Sequence, residues 1–434
     1  MDLISKPTRT ISGTVRVPGD KSISHRAVLL GGLAEGTTDV FGFLPGHDCQ
    51  ATVAAFQAMG VRIDQRDDTT LSIHGQGLAG LRAPAAALDL GNSGTAMRLL
   101  AGVLAGQPFD TELIGDDSLS ARPMERVAEP LRRMGADIAT HDGRPPLLIR
   151  GGRHLNGLHY VMPVASAQVK SALLLAGLYA SGETRVDEPA TTRDHTERML
   201  ETFGYPIARD GNSVSLTGGG TLRASRVDVP GDFSSAAFFM FAACLAEQGE
   251  LILEDVGLNP SRTGFLKILE LMGAEIEVHP QQTKAGEPCG RIVARPSHLR
   301  GADIPPQLVS LAIDEFPLVF IAAALADGQS VISGAEELRH KESDRIAVMA
   351  NGLSGLGATL EERPDGAVIQ GRGLSGGDVD SAGDHRVAMA FAIAAGVASG
   401  PVRVRDAANV ATSFPHFTAQ AVACGLDVKA IGNG

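Results

Sequence analysis

The sequence predicts a two-domain α/β fold made of six related repeats, and three features of the chain lead to that prediction. The chain has 434 residues, which is too many for one ordinary hydrophobic core. Six segments share one pattern, in which a polar cluster is followed by an apolar helix, a β-like stretch and a second helix. The second helix ends at a pair such as Met-Gly or Leu-Gly, because glycine suits the residue just past a helix end.

The repeats follow one another at a period of about 70 residues. They span residues 20–63, 91–138, 165–207, 231–276, 313–360 and 383–428. The motif VPGD stands before the first repeat and again before the fourth. We expect the chain to cross between domains at these two places, which gives one domain of residues 20–229 and another of residues 1–19 plus 230–434. The first strand would then belong with the C-terminal half.

The composition argues against several classes of protein. Hydrophobic residues make up 44% of the chain and charged residues 20%, as in soluble globular proteins. The formal net charge of −12 gives no overall attraction to polyanions. The absence of Trp and the presence of only three Tyr argue against stacking platforms for nucleic-acid bases. An anionic ligand must therefore be held by local clusters of Lys and Arg.

The N-terminus lacks the apolar core of a signal peptide. The two most apolar runs, SALLLAGLYA and AFFMFAACLA, are too short to cross a membrane and predict buried helices. The four cysteines lie far apart without metal-ligand spacing, so we expect buried free thiols in a reducing cytoplasm. These cysteines are Cys49, Cys244, Cys289 and Cys424.

A polar cluster stands at the start of each apolar helix, where unpaired backbone N–H groups and a partial positive charge attract anions. In GDKSISHR, Asp20 or Ser22 would cap the helix if the cations are solvated. Alternatively, Lys21, Ser22 and Arg26 converge on one oxyanion, since Ser22 and Arg26 lie one helical turn apart.

The next clusters allow the same two interpretations. LGNSGTAMR offers Asn92 and Thr95 beside glycines that let a ligand approach the backbone, and a capped helix fits equally well. SARPMER places Arg122 in a loop, where it is either solvated or bidentate to a carboxylate or phosphate. PVASAQVKS offers Ser166 and Gln168 as neutral hydrogen-bonding groups.

TTRDHTER predicts a helix capped by Asp194, with Arg193 just before it and able to face a ligand. In the C-terminal half, IDEFP holds Asp314 beside an apolar helix start, where a capping carboxylate is the ordinary interpretation. RHKESDR is charge-rich, as solvated helix faces are, but Glu342 flanked by cations also suits acid–base chemistry. In GDHR, Arg386 directly precedes another apolar run. So many cations at equivalent positions of an acidic protein favour anionic ligands in a cleft between the domains.

Eight motifs, in this order, resemble those of the 5-enolpyruvylshikimate-3-phosphate synthase (EPSP synthase) family. They are PGDKSISHR, GNSGTAMR, RPMER, ASAQVKSALLLAGL, TRDHTE, DEFP, EELRHKESDR and DHRVAM. The likeness covers nearly the whole chain, and the longest motifs are most similar to the bacterial class II group. It implies an inverse α/β barrel-like fold of two domains, each with three βαβαββ repeats about a pseudo-threefold axis, and an active site in the interdomain cleft.

The resemblance also implies an enzyme of the transferase class. The reaction moves the enolpyruvyl (carboxyvinyl) group of phosphoenolpyruvate to the 5-hydroxyl of shikimate 3-phosphate and releases phosphate, through a tetrahedral intermediate. It is a step of the shikimate pathway to chorismate and the aromatic amino acids, and the target of glyphosate. The family uses no metal and no organic cofactor. We expect a cytoplasmic monomer that acts on these two substrates, with no nucleic acid and no membrane as partner.

The site residues are implied by the resemblance, position by position. Those implied for shikimate 3-phosphate are Lys21, Ser22, Arg26, Ser166, Gln168, Arg193, Asp314 and Lys341. Those implied for phosphoenolpyruvate are Lys21, Asn92, Gly94, Thr95, Arg122, Gln168, Arg345 and Arg386. The implied catalytic residues are Lys21, Asp314 and Glu342. We expect Asp314 to take the hydroxyl proton, while Glu342 and Lys21 are the candidates for proton exchange with the methylene carbon and the bridging phosphate oxygen.

Two positions depart from the patterns of family members. Thr412, in ATSFPH, stands where members of the other class carry a Lys, which puts one contact with phosphoenolpyruvate in doubt. Gly94 stands where glyphosate-tolerant class II enzymes have Ala, and the smaller residue leaves room for the inhibitor.

Two rival functions fit parts of the pattern. A UDP-N-acetylglucosamine enolpyruvyl transferase has a similar architecture but uses a loop cysteine, and the corresponding loop GDDSLSARPMER contains none. A non-catalytic anion-binding homologue would keep the cations, but the intact set of Lys21, Asp314 and Glu342 argues for catalysis.

Overall fold

The structure, a computed structural model, describes residues 1–432, which form two compact units. The repeat 1–3 unit comprises Gly19–Val229 and Thr283–Glu287. The repeat 4–6 unit comprises Met1–Pro18, Pro230–Gln282 and the described chain from Pro288. Both principal changes of unit lie inside the two VPGD motifs.

One segment differs from the predicted domain of residues 230–434. Thr283–Glu287 belongs to the repeat 1–3 unit, where Glu287 Oε1 lies 2.6 Å from His195 Nδ1 and Arg198 Nη1 donates to the Gly286 carbonyl at 3.1 Å. These partners are 92 and 88 positions away along the chain, so the local sequence gave no sign of them. The last two residues of that predicted domain, 433–434, lie outside the described residues.

The strands are short and are numbered here in chain order. They are β1 (Asp2–Lys6), β2 (Gly13–Val15), β3 (Glu35–Phe41), β4 (Arg62–Asp67), β5 (Thr70–Gln76), β6 (Leu88–Asp89), β7 (Thr111–Ile114), β8 (Asp137–His141), β9 (Arg144–Arg150), β10 (His159–Val161), β11 (Glu183–Asp187), β12 (Ala208–Asp210), β13 (Ser213–Thr217), β14 (Arg226–Asp228), β15 (Leu251–Gly257), β16 (Glu275–Lys284), β17 (Glu287–Arg295), β18 (Gly328–Ile332), β19 (Thr359–Arg363), β20 (Gly366–Gly371), β21 (Gly377–Asp380), β22 (Val402–Arg405) and β23 (Asp427–Ile431).

The helices are α1 (Lys21–Leu33), α2 (His47–Ala58), α3 (Gly94–Leu104), α4 (Asp117–Ser120), α5 (Glu125–Arg133), α6 (Ala167–Gly177), α7 (His195–Thr202), α8 (Phe233–Leu245), α9 (Gly264–Leu271), α10 (Val309–Ala312), α11 (Phe316–Leu325), α12 (Arg345–Gly355), α13 (His385–Ala394) and α14 (Phe417–Ala423). Short 3₁₀ turns lie at Pro306–Leu308, Glu336–His340, Ala395–Val397 and Ala408–Thr412. Within the described chain, no helix has the length and apolarity needed to cross a membrane.

Each repeat of the repeat 1–3 unit forms its own four-stranded sheet. The strand orders are β14-β3-β5-β4, β6-β7-β9-β8 and β10-β11-β13-β12. The first two strands of each sheet are parallel and the others antiparallel. A parallel neighbour requires a crossover connection, and the apolar helices α3 and α6 supply it in the second and third sheets.

The repeat 4–6 unit repeats this plan with small changes. Its sheets are β16-β17-β15-β2, β18-β20-β19 and β21-β22-β1-β23. In the last sheet β1 pairs antiparallel with both neighbours, so that Leu3 lies opposite Val404 and Ala430. In the middle sheet an isolated bridge between Asp303 and Val331 takes the place of a first strand. The predicted α/β class with six βαβαββ repeats, three in each unit, is confirmed.

Each unit has its own hydrophobic core around the apolar helices. Helices α8 and α11 are apolar on every face and are buried along nearly their whole length, as a helix without a polar face must be. The four cysteines are buried, and none of them forms a disulfide within the described part of the chain.

The core helices α1, α3, α6, α8 and α13 begin at side-chain caps, which place their N-termini at the polar clusters. Asp20, Ser93 and Ser166 accept backbone N–H groups at the starts of α1, α3 and α6. Asp232 and Asp384 do the same for α8 and α13. The equivalent positions in the repeats therefore present helix N-termini beside Lys and Arg side chains.

Candidate active site

The start of α1 combines a cap with a paired lysine. Asp20 Oδ1 accepts the backbone N–H of Ile23 at 2.9 Å, so Asp20 is the cap and Ser22 is not. The ammonium of Lys21 forms an ion pair with Asp48 on α2, and 16% of its side chain is exposed. Sequence reasoning did not find Asp48, because only the fold brings α2 beside the start of α1.

Arg26 lies one turn further along α1 and is almost completely buried, with 4% of the residue exposed. Its Nη1 donates to the Ser22 carbonyl at 2.9 Å, its Nε to Thr196 Oγ1 at 2.7 Å and its Nη2 to Ser171 Oγ at 2.8 Å. Burial lowers the pKa of Arg26 to about 10, and repulsion by Arg193 acts in the same direction. Arg193, two residues before α7, therefore lies close enough to Arg26 to affect it electrostatically.

The predicted ligands Thr95 and Gln168 are joined by a hydrogen bond between α3 and α6. Gln168 Nε2 donates to Thr95 Oγ1 at 3.0 Å, and Gln168 Oε1 accepts Arg98 Nη1 at 2.6 Å. Arg98 also donates to the Pro123 carbonyl at 3.2 Å. Arg98 was missed from the sequence, although it ends the quoted motif GNSGTAMR and lies one turn after Gly94.

Arg122 and Asn92 form the other part of this cluster. Arg122 Nη2 donates to Asn92 Oδ1 at 2.6 Å. The Asn92 amide in turn donates to Asp116, whose other role is to cap α4.

Gly94 is the first residue of α3 and has two guanidinium groups beside it. A Cβ added to Gly94 would lie 3.0 Å from Arg98 Nη1 and 3.1 Å from Arg122 Nη1. The missing side chain thus lets both arginines approach a helix N-terminus, which is an arrangement that binds anions.

In the repeat 4–6 unit, Arg345 connects three carboxylates. It is 1% exposed, and its Nε donates to Asp384 Oδ2 at 2.8 Å. Its Nη2 donates to Glu342 Oε2 at 2.5 Å, and its Nη1 lies 3.6 Å from Asp314 Oδ1. Burial lowers the pKa of the guanidinium, but the three carboxylates outweigh it and raise the pKa above the ordinary value.

Asp314 is held from a second side by Arg386 at the start of α13. Arg386 Nη2 lies 3.2 Å from Asp314 Oδ2, and its Nη1 donates to the Asp314 carbonyl at 3.5 Å. Two arginines therefore fix the direction of this carboxylate. Lys341 donates to Glu337 at 3.2 Å, and its burial lowers the pKa of the ammonium group.

Two capping predictions are wrong. Asp194 occupies the position before α7, but its side chain makes no capping bond and accepts Arg198 Nε at 2.8 Å instead. The α11 start has no side-chain cap either, so neither carboxylate of IDEFP caps it. Glu315 instead accepts a hydrogen bond from the Ser234 hydroxyl, and burial raises its pKa.

Ser166 keeps the cap position of α6, with its Oγ 3.4 Å from the backbone N–H of Val169. Thr412 is almost buried and donates to the Asn409 carbonyl at 2.7 Å. Asn409 in turn donates to the Gly383 carbonyl, just before α13. Within residues 1–432, no cluster of three or more His, Cys, Asp or Glu side chains could hold a metal ion.

The two units thus hold different chemistry. The repeat 1–3 unit gathers the cations Lys21, Arg26 and Arg122 at helix starts, together with neutral hydrogen-bonding groups, which suits the binding of anions. The repeat 4–6 unit gathers two carboxylates, Asp314 and Glu342, around one guanidinium, which suits proton transfer beside a developing negative charge.

Comparison with known proteins agrees with these features. A family model described as EPSP synthase (3-phosphoshikimate 1-carboxyvinyltransferase) matches residues 5–420. A 3-phosphoshikimate 1-carboxyvinyltransferase of Acidithiobacillus ferrooxidans is 61% identical over 421 residues, covering 97% of each chain. One of Methylococcus capsulatus is 59% identical over 424 residues, covering 98% of this chain and 97% of that protein. The solved EPSP synthase of Acinetobacter baumannii superposes with a TM-score of 0.88 at 50% identity, covering 99% of this chain and 100% of that one.

Proposed function

The chain belongs to the EPSP synthase (3-phosphoshikimate 1-carboxyvinyltransferase) family, and we propose that the clusters of its two units act on the same pair of substrates. It is a transferase that moves the enolpyruvyl group of phosphoenolpyruvate to the 5-hydroxyl of shikimate 3-phosphate and releases phosphate. This reaction is a step of the shikimate pathway to chorismate and the aromatic amino acids. The location of the active site in an interdomain cleft stays a prediction.

In this proposal the repeat 1–3 unit binds most of the negative charge. Lys21, Ser22, Arg26, Ser166, Gln168 and Arg193 bind shikimate 3-phosphate, together with Asp314 and Lys341. Lys21, Asn92, Gly94, Thr95, Arg122 and Gln168 bind phosphoenolpyruvate, together with Arg345 and Arg386. The hydrogen bonds of Gln168 to Thr95 and Arg98 support its place between the two groups of ligands.

The carboxylates perform the proton transfers. Asp314 takes the proton of the 5-hydroxyl of shikimate 3-phosphate while the hydroxyl oxygen attacks the central carbon of phosphoenolpyruvate. Glu342 or Lys21 delivers a proton to the methylene carbon. The product of addition is a tetrahedral intermediate. In the elimination Glu342 or Lys21 takes a proton back from the new methyl group, and the other of these two residues delivers the proton with which the bridging oxygen of phosphate departs. Arg345 and Arg386 stabilise the negative charge throughout.

The observation that carries the proposal is the position of Arg345 between Asp314 and Glu342. The Arg345 guanidinium binds both Asp314 and Glu342, which have separate proton-transfer roles. Because the two carboxylates are held at one cation, both can act on the same pair of bound substrates. Arg345 is almost fully buried, which strengthens its interaction with charge that develops beside it.

The experiment removes each carboxylate while keeping its shape. Asp314→Asn and Glu342→Gln should each lower kcat by about 10²- to 10⁴-fold, the usual contribution of a general acid or base. Binding of shikimate 3-phosphate, measured by calorimetry, should remain detectable. The matched control is Glu361→Gln, since the side chain of Glu361 is 70% exposed on β19 and pairs with the surface residue Arg363. Near-normal turnover of either site variant contradicts its assignment.

The alternative acceptor, UDP-N-acetylglucosamine, is not favoured, because the similar relatives named above are 3-phosphoshikimate 1-carboxyvinyltransferases. The proposal also includes a monomeric, cytoplasmic enzyme that acts without nucleic acid or a membrane. Light scattering during size-exclusion chromatography tests the monomer, since a dimer would elute at twice the mass of one chain.

A further inference from the structure

The guanidinium of Arg26 is held in a different way from that of Arg345. Arg345 is surrounded by carboxylates, as described above. Among the residues that the structure describes, Arg26 donates to three neutral oxygens, which are the Ser22 carbonyl and the hydroxyls of Ser171 and Thr196. Ser171 is on α6 and Thr196 on α7, and both are buried with at most 1% of the residue exposed. Two side chains far apart in sequence therefore meet on one cation.

The two hydroxyls occupy one edge of the guanidinium plane. Thr196 Oγ1 accepts from Nε at 2.7 Å, and Ser171 Oγ accepts from Nη2 at 2.8 Å. Thr196 Oγ1 also donates to Ser171 Oγ at 2.7 Å, so the two acceptors lie side by side. A guanidinium has donors only, so both hydroxyls must offer it a lone pair. The pair of hydroxyls therefore fixes the rotation of the plane about the side-chain axis.

Two of the five N–H groups of Arg26 remain after these bonds. One is on Nη1 and one on Nη2, and the side chain makes no further hydrogen bond to any described residue. Two N–H donors of one guanidinium can bind two oxygens of one carboxylate or phosphate. The hydrogen bonds to Thr196, Ser171 and the Ser22 carbonyl fix the direction of these two donors.

The charge of Arg26 is left for a ligand to balance. Glu197, Asp20 and Glu287 attract it without accepting a hydrogen bond from it. Glu197 is ion-paired with Lys170 at 2.7 Å, Asp20 caps α1, and Glu287 Oε1 lies 2.6 Å from His195 Nδ1. The 4% exposure of Arg26 leaves little room for water to compensate the charge. A buried cation with neutral partners binds an anion more strongly than one that already has a carboxylate.

We propose that Thr196 and Ser171 are positioning residues for substrate binding, which orient the two remaining N–H groups of Arg26 toward an oxyanion of shikimate 3-phosphate. This inference rests on the proposed function, because it takes shikimate 3-phosphate as the ligand of Arg26. Hydroxyl groups suit the task, since they orient the guanidinium without neutralising it. A carboxylate at either position would orient it as well but would compete with the substrate for its charge.

The first measurement is calorimetric titration of the full chain with shikimate 3-phosphate. Thr196→Val keeps the shape of the side chain and removes the acceptor, and Ser171→Ala removes the second acceptor. Each should weaken binding by about tenfold, as expected for losing a hydrogen bond to a charged group. Thr196→Ser restores a hydroxyl and should bind within about threefold of the parent protein.

The matched control is Thr184→Val on β11. Thr184 is as buried as Thr196, and its hydroxyl has no hydrogen-bond partner within the described residues. This variant should bind shikimate 3-phosphate as the parent protein does. Melting temperatures of all variants show whether a loss of binding comes from unfolding, and Ser171→Ala tests the inference independently if Thr196→Val does not fold.

Steady-state kinetics separate positioning from a general structural role. The KM for shikimate 3-phosphate should rise by about the same factor as the dissociation constant, while the KM for phosphoenolpyruvate and kcat change less than about threefold. Folded Thr196→Val and Ser171→Ala variants that bind like the parent protein, or a Thr196→Ser variant that fails to restore binding, would overturn the inference. Because calorimetry needs no turnover, a chain that shows this binding pattern but makes no product contradicts the proposed function and not the positioning role.

Discussion

One carboxylate oxygen of Asp384 accepts a hydrogen bond from Arg345 Nε at 2.8 Å, and the other oxygen caps α13. The second oxygen receives the backbone N–H of Arg386 at 2.9 Å. One buried carboxylate therefore sets both the guanidinium between Asp314 and Glu342 and the start of the helix that carries Arg386. The proton-transfer groups and one phosphoenolpyruvate ligand depend on the same anchor.

Replacing Asp384 with Asn should lower stability by about 3 kcal/mol, because it leaves a buried cation short of one partner. Burial raises the pKa of Asp384, but Arg345 outweighs it, so the folded-state pKa lies below 3.8. The ionised group therefore stabilises the fold above pH 3.8, and this contribution is lost as the pH falls through the folded-state value. Urea unfolding of both proteins at several pH values measures it.

The difference in unfolding free energy between the parent protein and Asp384→Asn should be largest near neutral pH and should shrink below pH 3.8. The control is Asp378→Asn, an exposed aspartate on β21. A difference that is independent of pH would contradict the role of the ionised carboxylate.

Lys341 should impose an upper pH limit on activity. Burial lowers the pKa of its ammonium group below the ordinary 10.5. The cationic form that binds shikimate 3-phosphate is thus lost at a lower pH than for an exposed lysine. The alkaline limb of kcat/KM for shikimate 3-phosphate should therefore fall below pH 10.5. In Lys341→Arg, which stays charged, this limb should move to higher pH, and in Lys429→Arg, an exposed lysine on β23, it should stay where it is.

Gly94→Ala should weaken both phosphoenolpyruvate binding and inhibition by glyphosate. The new Cβ would approach Arg98 and Arg122 at 3.0 and 3.1 Å, so these side chains must move by a few tenths of an ångström. The KM for phosphoenolpyruvate should rise about tenfold, and the inhibitor concentration for half-maximal inhibition should rise more. Gly355→Ala on α12 is the control, since outside the backbone of its own helix the nearest described atom to the new Cβ is the Asp378 carbonyl oxygen at 3.9 Å. An unchanged inhibitor titration of Gly94→Ala is the opposing result.

Lys170→Met should be among the most destabilising changes in the repeat 1–3 unit. Lys170 is 1% exposed and pairs with Glu188 at 2.6 Å and Glu197 at 2.7 Å. Removing the cation leaves two buried carboxylates without it, which costs about 3–5 kcal/mol. By contrast Arg209→Met breaks an exposed pair with Glu201, worth about 0.2–1 kcal/mol. Equal losses of unfolding free energy in the two variants would show that the buried ion pairs of Lys170 contribute no more to stability than the exposed pair of Arg209.

The sequence alone predicted the repeats, and the reason is local. The polar cluster, the apolar helix and the Gly at the helix end recur in each repeat within one continuous segment, as α1 and α2 show in the first. The cap at Asp20, one of the two candidates in GDKSISHR, follows from the same local pattern, because a cap bonds to a backbone group only three residues away.

The missed residues depend on contacts between distant parts of the chain. Asp48 meets Lys21, and Asp384 meets Arg345 from a position 39 residues away. Thr196 meets Arg26 across 170 positions. A residue's type does not say which distant partner the fold brings to it, so these side chains looked like ordinary helix residues. Asp194 was taken for a cap for a local reason, because a carboxylate just before a helix ordinarily caps it, but Arg198 one turn later binds that carboxylate instead.

The most direct test of the account is release of phosphate by the purified chain, with each substrate supplied alone and then together. We expect phosphate only when phosphoenolpyruvate and shikimate 3-phosphate are both present. Mass spectrometry should then find an equal amount of shikimate 3-phosphate that carries an enolpyruvyl group, and Asp314→Asn should lose both signals together. Phosphate release from phosphoenolpyruvate alone, or no product from the two substrates together, would contradict the account.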